Sequence, residues 1–208
     1  MRKSSANLVI RINPENPQVR LLRQVVEILR QGGTIGYPTD TGYALGCDLY
    51  NLKGISRLYQ LKRRPLSKPF SFICADLKNI SFYAVVGNYA YKTMKRLLPG
   101  PYTFILEASR QVPKILQTKR RTVGIRVPNH PICLELVSLL GHPIISTSAS
   151  LPEEPPETDP YEIAEKFKAH LQLVIDAGII PVAPSSVISL IDDVPEVIRE
   201  GQGDISRL

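Results

Sequence analysis

Thr34-Ile35-Gly36-Tyr37-Pro38-Thr39-Asp40-Thr41-Gly42-Tyr43, residues 34–43 of a 208-residue chain, sets the terms for the segments around it. Thr34 to Tyr37 reads as a short strand, and Pro38-Thr39-Asp40-Thr41 as a hydroxyl-rich loop hanging from its end. One helix later comes Lys62-Arg63-Arg64-Pro65-Leu66-Ser67-Lys68-Pro69, with four cations in seven residues and two prolines that predict an extended backbone. Together the two stretches predict a polar pocket beside an anion clamp, a combination suited to a phosphorylated ligand.

Working outward, Leu8 to Ile12 reads as a first strand. Pro17 to Gln31 reads as an amphipathic helix with Val19, Leu22, Val26 and Leu29 on one face and Gly32-Gly33 as its stop. Leu52 to Leu61 carries Ile55, Leu58 and Tyr59 at helical spacing and delivers Lys62 and Arg64 at its end. Strands are expected at Phe70 to Ala75, Tyr102 to Ala108 and Thr122 to Val127. Further strands are expected at Pro143 to Ser146, Leu173 to Asp176, Ser186 to Ile191 and Val197 to Arg199. Helices are expected at Asn88 to Leu98, Pro131 to Leu140 and Tyr161 to His170. Strands and helices mixed in this way predict one α/β domain over residues 1–208, built on a twisted sheet. Residues 151–160, with four prolines and four acids, read as a mobile surface loop within it.

The chain has room for one substantial core. Its net charge of +7 and pI near 9.4 favour polyanionic partners, nucleotide triphosphates or RNA. Cys47, Cys74 and Cys133 lie far apart with no paired spacing, as expected of reduced thiols in the cytoplasm. The basic start, Met1 to Asn7, is followed by a run too short for a signal sequence or a membrane span, so no membrane partner is expected.

With no Gly-Lys dipeptide there is no phosphate-binding P-loop, and Gly201-Gln202-Gly203 lacks a following helix. A nucleotide site must therefore come from cationic and hydroxyl side chains. Lys62, Arg64 and Lys68 are the leading cations, although an isolated basic run is ordinarily a solvated face. In Thr122-Val123-Gly124-Ile125-Arg126-Val127-Pro128, strand alternation puts Thr122, Gly124 and Arg126 on one side. A mid-strand arginine needs an anion, which could be a protein carboxylate or a ligand's carboxylate or phosphate. Ser146, Thr147, Ser148 and Ser150 cluster past an expected strand end, and Ser185-Ser186 precede another; each could be a ligand contact or a self-satisfying turn. His130 and Cys133 have no second pair to complete a zinc site, and no metal ligands are expected. The single Asp40-Thr41-Gly42 triplet is weak support for an aspartic protease.

In order, these pieces resemble the threonylcarbamoyl-AMP synthase family, the YrdC-like proteins, and within it the YciO branch. The family's Pro-Thr-(Asp/Glu)-Thr-x-Tyr-Gly-Leu corresponds to Pro38 to Leu45, its Lys-x-Arg-Pro to Lys62 to Pro65, and its Pro-Gly-Pro-x-Thr to Pro99 to Thr103. The Thr-x-x-x-Arg-x-Pro strand corresponds to Thr122 to Pro128, and the Ser-Ala-Asn loop to Ser148 to Ser150. The Ser-Thr-hydrophobic strand and the final Arg-x-Gly correspond to Ser185 to Ile188 and Arg199 to Gly201. The chain departs from the pattern at Ser150, where the family has Asn, and at the acidic loop from Leu151, where it has Ser-Gly. It departs again at Ile73 in place of His and Ala44 in place of Gly.

The resemblance implies an open, twisted mixed sheet with a basic concave surface. It also implies an ATP-dependent reaction of L-threonine and bicarbonate that gives threonylcarbamoyl-AMP and pyrophosphate, for modification of position 37 of tRNA. By position, Lys62, Arg64 and Arg126 would be catalytic, and Thr41, Arg126 and Ser185 would hold threonine. Lys62, Arg64, Lys68, Thr122, Ser146, Ser148 and Arg199 would hold the nucleotide with Mg²⁺ on its phosphates. The alternative implied by the branch is a non-catalytic protein that binds tRNA or double-stranded RNA.

Overall fold

The computed structural model describes residues 8–65 and 67–208; the basic start at 1–7 and Leu66 lie outside the described residues. In chain order the elements are β1 (Val9–Arg11), α1 (Val19–Arg30), β2 (Thr34–Thr39), β3 (Gly42–Asp48), α2 (Leu52–Leu61), β4 (Ser71–Ile73), α3 (Leu77–Tyr83) and β5 (Ala84–Val85). There follow α4 (Asn88–Leu97), β6 (Tyr102–Ala108), β7 (Thr122–Arg126), α5 (Pro131–Leu140), β8 (Ile144–Ser148), α6 (Pro160–Phe167), β9 (Leu173–Asp176), β10 (Ser186–Ser189) and β11 (Glu196–Arg199). The strands form one mixed sheet in the order β1-β9-β2-β3-β8-β4-β7-β6-β10-β11, with β5 paired to β6. This is the open α/β sheet that the sequence leads one to expect.

The 34–43 stretch turns out to be more regular than its composition suggests. Pro38 and Thr39 belong to β2, Thr39 pairs with Gly42, and only Asp40 and Thr41 remain as a turn. Pairing of β2 with β9 stops at Gly36, so one edge of β2 is free where Pro38 lacks an N–H. Gly42 has φ +118°, a conformation that side chains disfavour, and Thr39 Oγ1 donates to its carbonyl at 2.6 Å. Residues 42–48, unassigned from sequence, are the fully buried β3.

Local signals account for most other elements. Asn51 caps α2 by accepting from the Lys53 and Gly54 amides at 3.1 and 3.3 Å, and Pro131 opens α5. The buried stripe of α1 is Leu22, Val25, Val26 and Leu29, whereas Val19, expected on that face, is exposed at the first turn. The described residues of the Lys62–Pro69 stretch are not in an extended run. Lys62 continues the α2 helical conformation, Arg63 has φ +45°, and the Lys68 amide closes a turn onto Pro65 O at 3.0 Å. The prolines end the helix, but the last amides still reach back to its carbonyls, as Arg64 N does to Tyr59 O at 3.1 Å. The acidic loop is tied down: Glu157 N donates to Ala149 O, and Lys166 of α6 pairs with Glu154 and Glu157 at 2.6 and 2.5 Å.

The two sheet faces are covered unequally, and this places the site. Helices α2, α3, α4 and α6 bury Leu45, Phe72, Phe104, Ile125, Ile145 and Ile188 on one face. On the other, α1 and α5 pack over Ile35, Tyr37, Ala44, Ile73, Ile144 and Ile175. Beyond Ile73 and Ile144 this second face continues into Ser71, Ser146, Gly124, Ile105 and Val187, which line a cavity.

Candidate active site

The cavity measures ≈ 530 Å³ and lies over β3, β8, β4, β7, β6 and β10. Its floor is made of small side chains. Ser71 pairs with Ser146, Gly124 pairs with Ile105, and a Cβ on Gly124 would meet Ser71 Oγ at 3.4 Å. A molecule can therefore lie flat on the strands. The β2–β3 turn with Thr39 and Thr41 forms one wall, and Val182, Pro184 and Ser185 form another. Arg64, Arg126 and Arg199 supply three guanidinium groups, and among the described residues no Asp or Glu lines the cavity. Such a lining favours an anionic ligand.

Thr41, Arg64, Thr122, Arg126, Ser146, Ser148, Ser185 and Arg199 all line this one cavity, although the sequence spreads them across 159 residue numbers. Of the two anions expected for Arg126, the structure shows the protein carboxylate. Its Nη2 donates to Asp40 Oδ1 and to Thr41 Oγ1, each at 2.9 Å, and its side chain still reaches the cavity, 12% exposed. A protein acid, Asp40, is thus one partner of Arg126, which also lines the cavity. Asp40 and Thr41 hold Nη2, while the buried Nε has no partner among the described residues. The other Asp40 oxygen accepts from Asn129 N at 3.0 Å, which clamps the turn to the segment after β7. Burial lowers the pKa of His130, against the raising influence of Asp40.

On the opposite wall Ser185 Oγ lies 2.8 Å from Thr103 Oγ1, and Arg199 donates from Nη2 to Ser185 O at 2.7 Å. Arg199 thus braces the 184–185 turn as well as facing the cavity. Arg64 stacks over Phe70 with its guanidinium carbon 5.1 Å from the ring centroid, which holds the charge at the rim.

Lys62 and Lys68 are placed differently from the rest. Lys62 Nζ donates to Ser150 O at 2.6 Å, Ser150 Oγ at 3.0 Å and Ser148 O at 3.2 Å, so it ties down the loop after β8 from behind the cavity lining. Burial and then the nearby Arg64 charge push its pKa down to about 8. Lys68 opens onto an adjoining cavity of ≈ 710 Å³ shared with Arg64, Lys119, Arg120 and Thr122. The hydroxyl cluster at 146–148 lies on β8 itself and not past its end, because β3 pairs with all three residues and β4 with Ser146.

Sequence reasoning passed over Tyr43, Ser71, Thr103 and Val182 in the lining. The alternation of Tyr102-Thr103-Phe104 could have exposed Thr103, since its neighbours are core aromatics. Among the described residues no group of three or more His, Cys, Asp and Glu side chains is placed to share a metal ion. The three thiols are buried, and Cys133 is pushed up to about 12 by that burial, so none is an activated nucleophile.

Residues 27–201 match the family profile of Sua5, YciO and YrdC, described as telomere recombination. The chain belongs to the Sua5/YciO/YrdC family. YciO of Escherichia coli K12 is 45% identical over 196 residues, covering 93% of this chain and 95% of its own. The crystal structure of E. coli YciO superposes with a TM-score of 0.90 at 43% identity, over 96% of this chain and 98% of that one. Threonylcarbamoyl-AMP synthase of Pyrococcus abyssi is 30% identical over 182 residues, 86% of this chain but 54% of its own length. The structure of P. abyssi Sua5 complexed with L-threonine matches with a TM-score of 0.86 at 29% identity, over 93% of this chain and 57% of that one. The chain thus shares the Sua5/YciO/YrdC fold, and the family includes enzymes. Among the described residues no helix is long and apolar enough to cross a membrane.

Proposed function

We propose that this protein is a threonylcarbamoyl-AMP synthase-type nucleotidyltransferase that uses ATP, L-threonine and bicarbonate and serves tRNA modification. The observation that carries the reading is the cavity lined by Arg64, Arg126, Arg199 and hydroxyls with no carboxylate among its described lining residues. The threonine amine captures carbon dioxide as a carbamate; a carbamate oxygen attacks the α-phosphorus of ATP, and pyrophosphate leaves. That transfer depends on alignment and charge neutralisation more than on acid–base groups. Arg64, with Lys62 and Lys68 behind it, faces the triphosphate; Mg²⁺ arrives as part of that substrate, held by phosphate and water. Thr41, Arg126 and Ser185 hold threonine, while Thr122, Ser146, Ser148 and Arg199 hold the nucleoside and α-phosphate. The test is pyrophosphate release from ATP: dependence on both threonine and bicarbonate is expected, and release that ignores either one overturns the reading.

A second reading has its own support. The adjoining cavity with Arg64, Lys68, Lys119 and Arg120 extends the cationic surface beyond what a nucleotide needs. A tRNA or double-stranded RNA backbone would use such a surface without turnover, and Lys62 engaged by Ser150 at the family's Asn position leaves one fewer free cation for catalysis.

A further inference from the structure

Tyr37 heads the largest fully buried side chains and yet carries a polar atom. It sits in the apolar layer between the sheet and helices α1 and α5, with Ile35, Ile144, Cys133 and Leu136. Its hydroxyl donates to Ser146 Oγ at 2.6 Å, its one hydrogen-bond partner among the described residues. The two residues are 109 positions apart, with β3 lying between their strands. Room for the crossing comes from Gly46, which pairs with Ser146. A Cβ there would stand 2.8 Å from Tyr37 Cε1 and 2.6 Å from Ile144 Cγ2. The strand thus lacks a side chain at the point where the ring passes.

The direction of this hydrogen bond matters. Burial holds the phenol far above its ordinary pKa, so it keeps its proton throughout the working pH range. If Ser146 donated instead, the phenolic hydrogen would be stranded in the apolar layer without an acceptor, a costly arrangement. With Tyr37 as donor, one Ser146 lone pair is taken and the serine's own hydrogen is left to turn outward. Ser146 lines the cavity and is only 6% exposed, so a ligand atom seated there is largely withdrawn from water.

We infer that Tyr37 is a positioning residue: by donating to Ser146 Oγ it leaves the serine's own hydrogen free to be given toward the cavity, so the ligand atom at that point is a hydrogen-bond acceptor, a ring nitrogen or a phosphoryl oxygen. This rests on the proposal that the cavity holds a nucleotide.

The test is a double-mutant cycle in ATP binding by calorimetry with Tyr37→Phe, Ser146→Ala and the double variant, each confirmed folded by its thermal melt. Each single change is expected to weaken ATP by about three- to tenfold, the worth of one hydrogen bond. Tyr37→Phe should add no further loss once Ser146 is alanine. Unchanged affinity in Tyr37→Phe, or an equal loss in both backgrounds, overturns the inference. A purely structural role would give the latter. If the wild-type protein does not bind ATP, the nucleotide reading fails by itself, and neutron diffraction of deuterated wild-type crystals decides the remainder. Deuterium on Tyr37 pointing to Ser146 Oγ, with the Ser146 deuterium toward the cavity, supports the inference; the Ser146 deuterium on Tyr37 Oη overturns it.

Discussion

Arg126 Nη2 and Asp40 Oδ1 are 2.9 Å apart although 86 positions separate them in the chain. The contact joins the β2–β3 turn to the end of β7, and Asp40 secures it by accepting from the Asn129 amide as well. The Nη2 group is thereby fixed by protein, and Arg126 still lines the cavity. Such a pair, largely withdrawn from solvent, costs desolvation, so it defines geometry more than it adds stability.

Replacing Arg126 by lysine keeps the charge but removes the planar fork. We expect the KM for threonine to rise at least tenfold in the pyrophosphate-release assay with little change in the KM for ATP. Asp40→Asn should move the same parameter in the same direction, because it loosens the orientation of Arg126. Equal effects on both substrates would remove Arg126 from the threonine site.

Arg64 stacks on Phe70 at the rim of both cavities. Its loss to alanine should weaken ATP binding by roughly 1.5–3 kcal/mol, the usual worth of a charge-assisted hydrogen bond. Calorimetry on the folded variant checks this, and an unchanged affinity removes the triphosphate from Arg64.

Lys62, with its pKa pushed down to about 8, gives a pH signature. Above that value the folded chain has released a proton that the unfolded chain keeps until near the ordinary lysine value. The unfolded state therefore binds more protons in that window, and this group's contribution to stability rises with pH across it. The local positive charge is lost over the same range, so ATP affinity should fall as pH rises through about 8. Lys62→Arg should flatten that fall, and a profile identical to wild type would acquit Lys62.

Gly46→Ala tests the packing that brings Tyr37 to Ser146. The new methyl group would lie 3.0 Å from Ile145 O, a backbone atom that cannot rotate away, besides its contacts with Ile144 and Tyr37. A loss of about 1–3 kcal/mol is expected from overpacking, read by denaturant titration. A variant as stable as wild type would show that β3 shifts freely.

If RNA binds, the contact should be electrostatic and insensitive to sequence, since the chain has no tryptophan and only 7% aromatic residues to stack on bases. The log–log salt slope should be about −0.7 per phosphate contacted on single strands, and ATP should compete through Arg64. Salt-independent binding, or strong preference for one sequence in a filter assay, would point to another surface.

The sequence by itself determined the elements whose signals are local. The helices at Leu52–Leu61 and Pro131–Leu140 and the strands at Tyr102–Ala108 and Leu173–Asp176 lie at the expected bounds. Apolar period, proline and glycine act over a few residues. Strand parity likewise put Thr122, Gly124 and Arg126 on the face that now lines the cavity. It did not disclose β3, because a strand buried along its whole length has no alternation to read. Nor did it disclose α3, seven residues long with Phe82 exposed. Only the tertiary structure decided which half of the second sheet face stays bare, since that depends on how far α1 and α5 reach. The partners of Arg126, Lys62 and Tyr37 were decided in the same way. Each meets a group 86 to 109 positions away, and such contacts are set by strand order and register, which no local period encodes.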